Sequence, residues 1–568
     1  MKKKFIISLL AVAVSIPLFS QNATVDDPVP LAPKEYRRPE GYDPVPFRYK
    51  YTLQDMRDKF SDDVMSLAAT EYQKLVETNE KGKWKPTPES IDQHPTPSWF
   101  EDLKFGMFVD WGLWSVGAYA TKMEHEAMYP DWYEYRMVDD NRPYKDNHIS
   151  LIPYHHKNWG KDVERGDFIP LFTAEKYDPD WLVKFAYDCG MRYLIPFCKH
   201  FSGWCLWPSS YTHMDAGDRM GRDLVKPLVD NCRKRGMKFG FYYCTQEWEY
   251  PLIADDGSYR FRTWFRGNTN LVEYDPAADP ATPQAKTSLK DWENIIPGKV
   301  PVRDFLKDYL IPQAVEFIDR YDPDIVWYDG EWTSSVHELG SYEITAYLYN
   351  HAEGRKEVAV NDRLGRDDNN KQMRHRRGDI YSSEYGYGSG YRNLKNHAWE
   401  ENRGISQSFG FNWEDTEKNV ITDEELVKMF VEVVSHGGNL LLIVNLDGKG
   451  ALPKIQEERL RTIGKWLKIN GEGIYGTRKY STIKEENIRY TRTKDNRTVF
   501  AHTLGWPGKQ LQLKAVKPAE GSKVYLLGYK KPLQWSHRDG VTTITLPDEL
   551  QTPKKRPCEY AYSFKITP

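Results

Sequence analysis

Asp180-Trp-Leu-Val-Lys-Phe-Ala-Tyr-Asp-Cys-Gly-Met-Arg-Tyr-Leu-Ile-Pro-Phe-Cys-Lys-His200 changes its period at one point, Gly190. Residues 180–189 read as a helix that stops at this glycine, and 192–200 form an apolar run that ends on polar residues, as a buried strand does. The unit then repeats. A helix over 223–235 carries Leu224, Val225, Leu228, Val229 and Cys232 on one face, stops at Gly236 and leads into a second apolar run, 238–243. A helix feeding a short strand, over and over, is the pattern of βα units on a parallel sheet.

Working outward, the strand candidates are 104–110, 192–200, 238–243, 324–329, 357–362, 379–384, 404–408 and 439–445. Eight is the number that a (β/α)8 barrel requires. Thr422-Asp-Glu-Glu425 is a capping box that opens a helix ending at Gly437, and 455–470 is a further helix. The 121–172 stretch is too long for an ordinary loop between strand and helix; in a barrel such insertions build the active-site rim. Beyond 475 the helical period disappears. Alternating runs at 499–503, 511–516, 523–527 and 541–546, with an Asp539-Gly540 hairpin turn, predict a small antiparallel β-sandwich. The expected organisation is therefore a 1–20 leader, a proline-rich lead-in and helix over 21–94, an α/β barrel domain over 95–475, and the sandwich over 476–568. Within the lead-in, 55–78 has helical spacing with Phe60, Val64, Leu67 and Leu75 on one side.

The ends and the composition narrow the function. Lys2, Lys3 and Lys4 followed by an apolar stretch to Phe19 have the layout of a secretory signal peptide, which predicts export to the periplasm or the medium. No window reaches the length of a membrane span, so no membrane insertion is expected. With 79 Lys and Arg against 82 Asp and Glu, and no long basic run, the chain lacks the electrostatic footprint of nucleic-acid binding. Six cysteines in 568 residues are too sparse for a disulfide scaffold, and Cys198, His200 and Cys205 match no zinc spacing. Aromatic residues make up 14 % of the chain; their flat apolar faces can stack on sugars as well as fill a core.

In a barrel the reactive groups stand where strands end. Those ends are Asp110-Trp111, Lys199-His200, Tyr242-Tyr243, Asp329-Gly330, Asn361-Asp362-Arg363, Glu384-Tyr385, Gln407-Ser408 and Asn445. Two carboxylates, Asp329 and Glu384, face a His, an Arg and aromatic residues. Paired carboxylates across a cleft are what glycosidic cleavage needs, one to attack or activate water and one to protonate the leaving oxygen. The plainer alternative is that Asp329 caps the next helix and Glu384 pairs with Arg363. No phosphate-binding loop or nucleophile elbow competes.

These residues carry a resemblance. Trp99-Phe-Glu-Asp-Leu-Lys-Phe-Gly-Met-Phe-Val-Asp-Trp-Gly112, Asp131-Trp-Tyr133, Asp167-Phe168 with Phe172-Thr-Ala174, Lys199-His200 with Cys205-Leu-Trp207, Asp324-Ile-Val-Trp-Tyr-Asp-Gly330 and Gly438-Asn-Leu-Leu-Leu442 occur in the order found in the α-L-fucosidases of glycoside hydrolase family 29. The chain resembles that family from about residue 95 to the end. The resemblance implies a (β/α)8-like barrel and a retaining mechanism without cofactor or metal, acting on an oligosaccharide or polysaccharide. It places Asp329 on the nucleophile and Glu384 on the acid/base, with Glu400 as runner-up. His200, Tyr242 and Arg363 fall on sugar-contacting positions, with Trp111 beside another, and Glu247-Trp248 resembles the family's Glu-Trp after the third strand.

Two departures bear on the sugar. Where the family usually reads His-Trp-Gly this chain has Asp110-Trp111-Gly112, and where it reads His-His-Asp-Gly-Phe this chain has His200-Phe201-Ser202-Gly203-Trp204. A carboxylate at 110 would accept where imidazole donated, and the Phe201 ring does neither. The expectation is an exo-α-L-glycosidase for fucose or a close relative such as L-galactose; the alternative is a degenerate member that binds glycans without cleaving them. Glu384 is expected to start protonated, its pKa raised by burial and by the neighbouring carboxylate.

Overall fold

Seven of the eight expected runs hold a strand of one curled parallel sheet. The computed structural model describes residues 29–45, 48–121, 129–137, 150–263, 270–273, 295–386, 397–407 and 409–568; the expected signal peptide and most of the 121–149 stretch lie outside them. The strands are β1 (Phe105–Asp110), β2 (Tyr193–Lys199), β3 (Lys238–Cys244), β7 (Ile325–Asp329), β8 (Ala359–Val360), β9 (Tyr381–Glu384), β10 (Trp399–Gly404) and β11 (Asn439–Asn445). Between β3 and β7 the chain adds an antiparallel meander that the sequence pattern did not reveal: β4 (Glu249–Ile253), β5 (Tyr259–Thr263) and β6 (Asn270–Glu273). The order in the main sheet is β8-β7-β3-β2-β1-β11-β10-β9, so the first strand pairs with the last, Asp110 opposite Asn445. The two edges, β8 and β9, meet, among the described residues, at one parallel bridge between Asn361 and Ile380.

One strand lies away from its expected place. The seventh barrel strand is Trp399–Gly404 and not 404–408, because it is built from Glu400, Glu401, Asn402 and Arg403, a polar run with no strand signature. It pairs with β9 and β11 all the same, and Glu400 and Asn402 are fully buried.

Aromatic rings fill the barrel. Phe197 stacks on Tyr242 with ring centroids 3.8 Å apart, and Phe108 meets Phe197 at 4.7 Å and Trp327 at 4.9 Å. Below them Tyr193 crosses from β2 to donate to Glu400 on β10 at 3.0 Å, while Trp327 Nε1 donates to the other oxygen at 2.7 Å. Gly106 on β1 makes room for that crossing: a Cβ there would stand 2.4 Å from the Tyr193 ring.

Outside the sheet, helices Pro179–Asp188 and Lys226–Lys234 stop before Gly190 (φ +96°) and Gly236 (φ +67°), as their glycines predict. The Thr422 capping box opens helix Asp423–Ser435. The lead-in helix runs from Leu53 to Lys81 and buries Val64, Ala68 and Leu75; Leu67, expected on that face, is 40 % exposed. The C-terminal strands form a five-stranded sheet and a three-stranded sheet around Tyr490, Leu513, Ile544 and Phe564. Asp539 and Gly540, both at positive φ, make the expected two-residue turn. Trp466 Nε1 donates to the Ala561 carbonyl at 2.8 Å, and Arg478 pairs with Asp102 at 2.9 Å, which fastens this sandwich to the barrel.

Candidate active site

The tripeptide Asn361-Asp362-Arg363 builds the site where the barrel seam is weakest. β8 is two residues long, so side chains continue what the backbone ladder leaves off. Asn361 clamps the Tyr328 backbone, accepting from its N–H and donating to its carbonyl, both at 2.9 Å. Asp362 reaches the other way and accepts from Ser382 N–H (3.0 Å), Ser382 Oγ (2.6 Å) and His375 N–H (2.8 Å). Arg363, 2 % exposed and lying over the Trp327 ring, then joins the two strand-end carboxylates: Nη1 donates to Asp329 Oδ1 at 2.9 Å and Nη2 donates to Glu384 Oε2. Such charge-assisted bonds from one rigid fork fix the two carboxylates relative to each other.

Asp329 ends β7, and Gly330 at φ +104° turns the chain at once. Its second oxygen accepts from Tyr242 Oη at 2.7 Å; Tyr242 sits opposite Trp327 in the β3–β7 ladder, which sets that reach. Glu384 receives Tyr129 Oη at 3.2 Å, and Arg374 Nη2 stands 3.6 Å from it. Burial pushes the Glu384 carboxyl up, but Arg363, Arg374 and the hydrogen bonds from Arg363 and Tyr129 outweigh it and hold the group below its ordinary value. The expectation of a protonated Glu384 is thus corrected for the free site: Arg363, whose pairing with Glu384 the sequence offered only as the plainer alternative, and Arg374, which it missed, decide the sign.

Asp110 also behaves differently from its expectation as a plain acceptor. It is fully buried, accepts from Trp114 Nε1 at 2.8 Å, and has the Asp131 carboxyl beside it. Burial first, and the Asp131 charge second, push its carboxyl well above the usual range. A carboxylic acid that keeps its proton donates as well as accepts. Asp131 Oδ2 lies 3.4 Å from His200 Nε2, and Asp110 Oδ2, Asp131 Oδ1 and His200 Nδ1 are buried without a partner. Unsatisfied buried polar atoms at strand ends are what a sugar's hydroxyl groups would complete. Phe201 packs beside them against His200, Trp132 and Trp332.

Two candidates stand elsewhere. Trp111 follows inward-facing Asp110 and so points outward; it packs on Phe172 and Tyr177 and donates to the Asp447 carbonyl at 2.8 Å. Glu400 lies a layer below the strand ends, since Glu384 is opposite Asn402 and Glu400 opposite Ser382; Tyr193 and Trp327 occupy both its oxygens. Burial, as the largest cause, pushes Glu400 up to about 7. Glu247, of the Glu-Trp pair, is held inside the protein by Lys199, Lys299 and Tyr309. Tyr129, Glu331 and Arg374 belong to the site and were missed. Glu331 could have been found two residues past Asp329; Arg374 sits in an irregular loop with no periodic signal. Among the described residues no cluster of three or more His, Cys, Asp or Glu side chains is arranged to hold a metal.

A parallel eight-stranded barrel whose strand ends present two carboxylates on one arginine, with unsatisfied polar atoms and aromatic rings beside them, defines a glycoside hydrolase. Residues 71–472 match the family model for alpha-L-fucosidase and residues 482–567 the model for the alpha-L-fucosidase C-terminal domain. The chain belongs to the α-L-fucosidase family. It is 30 % identical to an alpha-L-fucosidase of Branchiostoma floridae, over 85 % of this chain and 96 % of that one, and 30 % identical to the tissue alpha-L-fucosidase of Mus musculus, over 85 % and 95 %. Among solved structures, the Thermotoga maritima alpha-fucosidase in complex with a mechanism-based inhibitor is 30 % identical and superposes with a TM-score of 0.64, over 85 % of this chain and 100 % of that one.

Proposed function

We propose that the protein is an exported retaining exo-α-L-glycosidase that removes a terminal α-L-fucose, or a close relative such as α-L-galactose, from a glycan by double displacement. The observation that carries the retaining reading is the single guanidinium, Arg363, between Asp329 and Glu384. Retaining glycosidases hold their carboxyl groups about 5–5.5 Å apart, whereas inverting ones leave room for a water between them at about 6.5–9.5 Å. A pair bridged by one arginine fits the shorter separation. Asp329 attacks the anomeric carbon while Glu384 gives a proton to the leaving oxygen; Glu384 then takes a proton from the water that releases the sugar. Export rests on the N-terminal lysines and apolar stretch alone, and signal cleavage during secretion tests it.

The sugar reading rests on Asp110 and Phe201. A buried carboxylic acid at the first strand end can both donate to and accept from a hydroxyl, so a hydroxyl at C6, present in L-galactose and absent from fucose, has a partner there. A site built around a hydroxyl rejects the analogue that lacks it, because its own polar groups are left unpaired. The expected result is a higher kcat/KM for aryl α-L-galactoside than for aryl α-L-fucoside, reversed in Asp110→His/Phe201→His. Strong fucosidase activity in the wild type, unchanged by restoring both histidines, would contradict the sugar reading. Turnover of either glycoside excludes the binding-only alternative.

A further inference from the structure

Glu331 is a carboxyl beside the catalytic pair that the proposed mechanism leaves without work. It follows Asp329 and Gly330, is fully buried, and neither of its oxygens has a hydrogen-bond partner beyond its own backbone N–H. Arg363 is the guanidinium that acts on it most strongly, and Arg374 Nε lies 3.8 Å from Oε1. The same guanidinium presents Nη2 to Glu384 at 3.6 Å. Asp329, Arg363, Glu384, Arg374 and Glu331 therefore form a chain of alternating charge, which the Asp329-Gly330-Glu331 backbone closes into a ring. Three carboxyls share two guanidiniums, so one negative charge is in excess and the ring has room for one proton. Such a cluster titrates as a unit.

We propose that Glu331 is a positioning residue that shares Arg374 with Glu384 and holds, in the free enzyme, the proton on which acid catalysis by Glu384 draws. This rests on the assignment of Glu384 as acid/base. The groups that face the pair are Asp329 on the same segment, Arg363 after β8, Arg374 in the 366–378 loop, and Tyr129 from the β1 side. Burial is the largest influence on Glu331 and pushes it up to about 7, whereas Glu384 is held low. In the resting form Glu331 carries the proton, and Arg363 and Arg374 both serve the ionised Glu384. In the reactive form the proton has passed through solvent to Glu384, and Glu331, now a carboxylate, takes Arg374. Glu384 then gives that proton to the leaving oxygen as the C1–O bond breaks and Asp329 bonds to C1. In the second step water adds to C1, the C1–Asp329 bond breaks, and the water's proton returns to Glu384, so the ring regains its single proton.

The test compares wild type, Glu331→Gln and Glu331→Asp. Glutamine is isosteric and neutral, so it removes the upper proton site and leaves Glu384 to titrate alone. The basic limb of the kcat/KM profile for a phenyl α-L-glycoside, a poor leaving group, is expected to move to lower pH by more than one unit, a loss of about tenfold or more at neutral pH. A dinitrophenyl glycoside should lose far less, and Glu331→Asp should restore the limb. A Glu331→Gln limb that coincides with wild type, or a drop at every pH without a shift, would overturn the proposal. A readout independent of turnover is the infrared band of a protonated carboxyl group that titrates near neutral pH. It should be lost in Glu331→Gln and change in frequency in Glu331→Asp; a band retained in Glu331→Gln, or unchanged in frequency in Glu331→Asp, would place the proton on another carboxyl and overturn the proposal. Were neither glycoside hydrolysed by wild type, the proposed function would fall while the infrared comparison still decided where the proton sits.

Discussion

Glu384 takes its partners from three separate parts of the chain: hydrogen bonds from Tyr129 after β1 and Arg363 after β8, and an ion pair with Arg374 in the following loop. That convergence separates it from Glu400, whose partners Tyr193 and Trp327 are both core groups. Glu384→Ala is expected to lower kcat/KM for glycosides with poor leaving groups by about 10²–10⁴-fold while sparing activated aryl glycosides, which need little proton assistance. Glu400→Gln should show no such selectivity; if it does and Glu384→Ala does not, the roles are exchanged. Asp329, Glu384, Arg363 and Tyr242 were legible in the sequence because in a barrel the strand end is itself a positional code. Trp111 stands next to such an end, but strand alternation sends it the other way, and Arg374 lies in a loop whose path no pattern encodes.

At the scale of elements, the barrel strands were legible where they are apolar. β10 was not, because a closed barrel can bury Glu400 and Asn402 inside it and so uses a polar strand where a sheet facing helices on both sides would use Val or Ile. The short β8 illustrates the same limit: Asn361 and Asp362 do by side-chain hydrogen bonds what a longer ladder would do by backbone. Gly106 links β1, β2 and β10 by letting Tyr193 lie across β1 to reach Glu400. Gly106→Ala places a methyl group against that ring, and overpacking of this kind costs about 1–3 kcal/mol. The variant should unfold at lower denaturant concentration with an unchanged m-value; a stability equal to wild type would show that the ring is free to move.

Over the whole molecule, burial pushes the carboxyls of Glu134, Asp215, Glu400 and Asp415 up to about 7. Each binds a proton more tightly folded than unfolded, so its contribution to stability is complete below the unfolded value and is lost as pH rises through about 7. His155 and His502, held down to about 4 and about 3 by burial, act in the opposite sense, losing stability as pH falls below the ordinary histidine range. The carboxyls outnumber them. The thermal midpoint is therefore expected to fall as pH rises from about 5.5 to about 7.5. A midpoint that rises over this interval would mean that the buried carboxyls are ionised in the fold.

Covalent trapping addresses the nucleophile directly. A 2-deoxy-2-fluoro aryl glycoside of the preferred sugar slows both steps, and its good leaving group lets the glycosyl-enzyme accumulate, so that peptide mapping by mass spectrometry can locate the added sugar. The label is expected on the peptide containing Asp329, with one sugar per chain, and absent in Asp329→Asn. A label on Glu384 or Glu331, or steady turnover with inversion and no trapped sugar, would contradict double displacement through Asp329.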